Sequence, residues 1–80
     1  MKQEIRITVK LFFDLRQFGP AISTIPVPEK VTINFLLEKY QIPRENKDLM
    51  IFVNGVPHHE VNYLLNDGDV VAIFPPTAGG

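Results

Sequence analysis

The sequence predicts an α+β domain, a mixed sheet of about five strands with one main helix packed on one face. Three observations carry this. Ile5, Ile7, Val9, Leu11 and Phe13 are apolar at every second position, the period of a half-buried strand. Ile33, Leu36, Leu37 and Tyr40 recur at helical spacing. Val70 to Phe74 is almost uninterrupted in hydrophobicity, which predicts a central strand covered on both sides.

Taken in order, the first strand puts Glu4, Arg6, Thr8 and Lys10 on its polar face and leaves Phe12 there as an exception. Asp14 to Pro20 reads as a loop or short helical turn closed by Gly19-Pro20. Ile22 to Pro28 is extended, and Pro26 and Pro28 suit an edge strand because neither can donate to a ladder. Thr32 is a helix N-cap, since its hydroxyl can accept a bond from a free N–H of the first turn. The helix is expected from Ile33 to Tyr40, with Pro43 as its stop. Leu49 to Val53 is a further strand, and Asn54-Gly55 a two-residue hairpin turn in which both positions want positive φ. Val56 to Tyr63 contains a short, irregular returning strand around Pro57 and His58, and Leu64 and Leu65 plug the core. Asn66 to Asp69 is a turn, and Val70 to Phe74 closes the sheet.

A hairpin, a helix packed across it, and a last strand running centrally make the β-grasp arrangement, in which the helix-containing middle of the chain is the crossover between parallel first and last strands. The helix then covers Ile5, Ile7, Val9, Leu11 and Phe13. Phe12, Ala72 and Phe74, with Phe52 or Met50, face the uncovered side. Aromatic side chains clustered on an open sheet face suit a partner-binding surface, here Phe12, Phe52 and Phe74.

Eighty residues fit one domain, read as a folded unit over 1–74 and a flexible tail over 75–80. Absence of cysteine removes disulfides, thiolate metal sites and a cysteine nucleophile, and suits a reducing cytoplasm. Eight basic residues against nine acidic ones give no basic stripe, so nucleic-acid binding is not expected. The apolar runs are too short to cross a membrane, and no secretion leader is expected ahead of the first strand. A cytoplasmic protein is the expectation.

The remaining chemistry lies at the end of the sequence. Pro75 and Pro76 lack N–H groups, so they end the ladder and favour an extended exit from the domain. From there Pro75, Pro76, Thr77, Ala78, Gly79 and Gly80 reach about 20 Å, with side chains small enough to thread a narrow channel. The Gly80 carboxylate is inert to acyl transfer until activated, for which transfer of AMP from ATP is the usual route. The isolated glycines Gly55 and Gly68 form no phosphate-binding loop, so activation falls to another protein. No cofactor is expected on this chain, and ATP is used by the activating partner.

The stretch Leu65-Asn66-Asp67-Gly68-Asp69-Val70-Val71-Ala72-Ile73-Phe74-Pro75-Pro76-Thr77-Ala78-Gly79-Gly80 closely resembles the end of the small subunit of molybdopterin synthase, the MoaD family. Phe12-Phe13, Leu15-Arg16 and Val53-Asn54-Gly55 also resemble family positions. The thiamine-pathway carriers, ThiS, are similar in fold and Gly-Gly end but usually lack the Phe-Pro-Pro element. The resemblance implies a ubiquitin-like sulfur carrier that is not an enzyme on its own. A MoeB-like E1 adenylyltransferase would adenylate Gly80, and a sulfurtransferase would supply the sulfur for a thiocarboxylate. The tail would then enter a MoaE-like large subunit, expected in a heterotetramer, which holds the catalytic residues and builds the dithiolene of the molybdenum cofactor. Carriers for thiamine, tungsten cofactor, cysteine or tRNA sulfur, and ubiquitin-like protein tags, would use the same terminus. A β-grasp binding module with an incidental tail is a further alternative. The segment Phe12 to Gly19 is about one residue shorter than the family's common pattern, so a loop or short turn remains the expectation there.

Other residues read more simply. His58 and His59 point opposite ways in an extended segment and make no metal pair. Asp67 and Asp69 are expected to be turn residues that satisfy backbone N–H groups. Arg16 is an exposed charge. Ser23, the histidines and the acids form no triad at any useful spacing.

Overall fold

The computed structural model describes residues 4–42, 49–58 and 60–75. Strand β1 (Glu4–Leu11) is followed by a 3-10 helix (Phe13–Phe18), β2 (Ile22–Pro28), helix α1 (Ile33–Lys39), β3 (Met50–Val53), β4 (Val56–His58) and β5 (Val70–Phe74). The sheet order is β2-β1-β5-β3-β4. β1 runs parallel to β5, while β1–β2, β3–β4 and β3–β5 are antiparallel. This is the β-grasp fold, with β5 central and the proline-bearing β2 at an edge.

The core follows from strand alternation. Ile7, Val9 and Leu11 of β1, Val27 of β2, Ile51 and Val53 of β3 and Val71 and Ile73 of β5 bury one face under Ile33, Leu36 and Leu37 of α1. Thr32 caps the helix, its hydroxyl accepting from the Phe35 N–H at 3.3 Å. The helix stops earlier than a proline at position 43 requires. Gln41 takes a φ of 59°, its N–H donates to the Glu38 carbonyl, and the Ile42 N–H reaches the Leu37 carbonyl at 2.9 Å. That is a Schellman ending, with Ile42 buried beneath it. Pro43 lies outside the described residues.

Three expectations are corrected. Val70 to Phe74 is central but covered on one face only, because α1 is a single helix; Val70, Ala72 and Phe74 remain half-buried on the other. Phe13 does not continue the buried alternation. Its φ is 56° and its ring is 64% exposed, because the chain turns there into the 3-10 helix and Leu15 takes the core position. Leu64 is 55% exposed while Leu65 alone enters the core. The cause is a bridge between Thr32 and Leu64, with the Leu65 N–H bonded to the Val31 carbonyl. Neighbours in extended backbone face opposite ways, so only one leucine can point inward.

Two turns position the end of the central strand. Asn54 and Gly55 take φ values of 52° and 83°, the left-handed pair that a two-residue hairpin demands. The Asn54 side chain accepts from the Val70 N–H and donates to Asp69 Oδ1, each at 2.9 Å. Asp69 Oδ2 accepts from the Asn66 N–H at 2.8 Å, and Asp67 Oδ1 accepts from the Arg6 N–H at 2.8 Å. Both acids therefore satisfy backbone N–H groups, as expected of turn residues, and they lock the entry of β5 between its neighbours.

Candidate functional site

The uncovered face of the sheet carries the candidate site. Strand register sets it. Phe74 lies opposite Met50, and Ala72 lies opposite both Phe52 and Lys10. These positions alternate with the buried Ile51, Val71, Ile73 and Leu11, so their side chains emerge together on the open side. Phe12 joins them because it stays extended (φ −114°, ψ 147°) and donates its N–H to the Ile73 carbonyl at 3.2 Å. The first strand is thus prolonged by one residue along β5.

The three aromatic residues expected to bind a partner form one cluster. Phe12 and Phe74 stack at 4.1 Å with planes 12° apart, and Phe52 meets Phe74 edge-on at 5.6 Å and 80°. Both are favourable ring geometries. The rings wall an open depression of about 300 Å³ floored by Val70 and Ala72, with Lys10 and Gly55 at its margin. Arg16 adds a fixed positive charge. Its Nε donates to the Leu11 carbonyl at 3.0 Å, which holds the guanidinium over the Phe12 ring at 5.9 Å. Arg16 is exposed, as expected, but tethered rather than free.

Pro75, the first residue of the expected tail, follows Phe74 directly and is half-buried. Pro76, Thr77, Ala78, Gly79 and Gly80 lie outside the described residues, so the threading and acylation roles assigned to them rest on sequence. His58 packs its ring against Tyr63 at 4.1 Å, and His59 is outside the described residues. Ser23 shares a hydrogen bond with the Tyr40 hydroxyl at 3.1 Å. Among the described residues no group of acids and histidines could hold a metal ion. No helix there is long and apolar enough to cross a membrane.

Sequence reasoning missed two features of this region. One is Phe13, whose ring lies 6.5 Å from that of Phe12, because a strict period of two places it in the core. The other is the Asn54–Asp69 bond, which joins two turns distant in sequence. The paired Asn-Gly and Asp-Gly-Asp signals mark the turns but not their contact.

The sequence pattern of the ThiS family matches residues 9–80. No curated protein matches the chain. Among solved structures, a Pyrococcus furiosus protein described as molybdopterin converting factor subunit 1 is 30% identical, with a TM-score of 0.73, covering 91% of this chain and 99% of that one. Small archaeal modifier protein 1 of Haloferax volcanii is 21% identical with a TM-score of 0.72, covering 91% and 99%. A chain of the protein–protein complex of subunits 1 and 2 of molybdopterin-converting factor from Helicobacter pylori is 21% identical with a TM-score of 0.60, covering 95% of this chain and 100% of that one.

Proposed function

Because the chain belongs to the ThiS family, we propose that it is a sulfur carrier serving as the small subunit of molybdopterin synthase, with the Gly80 carboxylate as its reactive group. The observation that carries this reading is the Phe12–Phe74–Phe52 cluster on the uncovered face, which runs without a break into Pro75 at the root of the tail. A docking surface beside the tail lets a partner grip the folded domain while the last residues enter its active site. The Pyrococcus furiosus relative, at 30% identity, favours the molybdopterin pathway over the others. The Phe-Pro-Pro element at Phe74, Pro75 and Pro76 agrees with it.

The chemistry is divided between proteins. In the activating partner, a MoeB-like enzyme, a Gly80 carboxylate oxygen attacks the α-phosphorus of ATP and pyrophosphate leaves. A sulfide-level nucleophile delivered by a sulfurtransferase then attacks the acyl carbon. AMP departs with its bonding pair, leaving a thiocarboxylate. That group is ionised near neutrality and nucleophilic, so it attacks a carbon of the pterin precursor in a MoaE-like large subunit, and the oxygen bound to that carbon leaves with the bonding pair. Hydrolysis of the resulting acyl–sulfur bond leaves sulfur on the pterin and restores the carboxylate. This chain contributes the acyl carrier and the docking face, and supplies neither acid nor base.

Intact mass tests the proposal. Incubated with the activating enzyme, ATP and a sulfur source, the chain should gain about 16 Da, one oxygen exchanged for sulfur at the activated carboxyl. The thiolated form should convert pterin precursor to molybdopterin when the large subunit is added. Covalent attachment to target lysines would favour a protein modifier instead. No modification would favour a binding module, and thiolation without molybdopterin would favour another sulfur pathway.

A further inference from the structure

Phe13 carries two costs that the isolated domain does not recover. Its backbone sits at a φ of 56°, a region that bulky side chains rarely adopt. Its ring is 64% exposed to solvent. Neither cost serves the core, because Leu15 fills the inward position two residues later. The left-handed turn places the ring outside the sheet, beside Phe12. From there the aromatic path continues from Phe12 to Phe74 in ring-to-ring steps of 6.5 and 4.1 Å. The exposed ring therefore stands at the rim of the docking face, close to the strand end from which the tail departs.

We propose that Phe13 is a second anchor for the partner that receives the tail, gripping the domain from the side of the tail root while Phe12, Phe52 and Phe74 grip its face. This rests on the sulfur-carrier reading above. The occupant is the large subunit, and its surface should offer an apolar pocket beside the mouth of its tail channel. Reach argues for this occupant. Five residues beyond Pro75 extend at most about 18 Å, so a partner holding Gly80 must press against the surroundings of the tail root. Phe13 lies within that footprint and is continuous with the apolar cluster. An exposed aromatic ring continuous with an apolar patch is of the residue type enriched at protein interfaces.

The test compares Phe13→Gly, Phe13→Asn and Phe13→Tyr with the parent chain, measuring thermal unfolding and calorimetric affinity for the purified large subunit from the same organism. Gly and Asn both accept a positive φ, so each should unfold at the same temperature or higher. Each should also bind at least tenfold more weakly, while Phe13→Tyr keeps the parent affinity. Unchanged affinity in the Gly and Asn variants would overturn the proposal, as would a lowered unfolding temperature in both, which would make the ring a packing element. If the parent chain fails to bind the large subunit at all, the molybdopterin-synthase reading fails and this inference falls with it. Parent-like binding by the Gly and Asn variants sinks the anchor alone.

Discussion

Asp69 is the single buried charged side chain among the described residues, at 7% exposure. It is tolerated because its carboxylate accepts from the Asn54 amide and the Asn66 N–H at the hairpin and turn that bracket β5. Asp69→Ala leaves both donors unpaired in a half-dry site. It should destabilise the domain by about 2 kcal/mol, lowering the melting temperature by roughly 10 °C in a chain of this size. Thermal unfolding followed by circular dichroism measures this. Phe74 has the opposite character. Its ring lies on the open face against Phe12 and Phe52, so Phe74→Glu should leave the far-ultraviolet spectrum unchanged and abolish large-subunit binding in calorimetry. Normal affinity in a folded Phe74→Glu protein would mean the aromatic face is not the docking surface.

Elements were legible wherever a local rule decided them. The β1 alternation, the Thr32 cap, the Asn54-Gly55 turn and the proline-marked edge strand are dictated by neighbours in sequence, and the structure has each of them. Losing the cap should cost about 1 kcal/mol, so Thr32→Ala should melt a few degrees lower with the sheet intact, as amide exchange localised to the first turn of α1 would show. The misreadings fall where tertiary placement overrides local pattern. Phe13 obeys the period of two but sits where the chain must leave the sheet. Leu64 shares its apolar character with Leu65, yet one bridge to Thr32 decides which of them faces inward. The helix end illustrates the same point, since Gln41 is an unremarkable residue that nonetheless completes a Schellman motif. Of the candidate site, Phe12, Phe52 and Phe74 could be named from strand parity alone. The tethered Arg16 and the exposed Phe13 could not, because both depend on the turn after β1.

At the scale of the whole molecule, one sheet face is sealed by a helix and the other left open, and the central strand leads straight toward the tail. Gly79→Val tests whether that tail is threaded. The branched side chain widens the segment and restricts its backbone, so thiolation and sulfur transfer should fall at least tenfold, about 1.4 kcal/mol or more in barrier, while the melting temperature is unchanged. Mass spectrometry of the thiolated product and the rate of molybdopterin formation measure the two steps separately.

The pairing of β5 has a mechanical consequence. The strand that continues into the tail is hydrogen-bonded along both edges, to β1 on one side and β3 on the other. Traction on the tail therefore runs along the strand axis and loads both ladders in shear, so the bonds must yield together rather than peel away singly. A protein that hauls on the end of this chain would be working against the strongest direction of the domain.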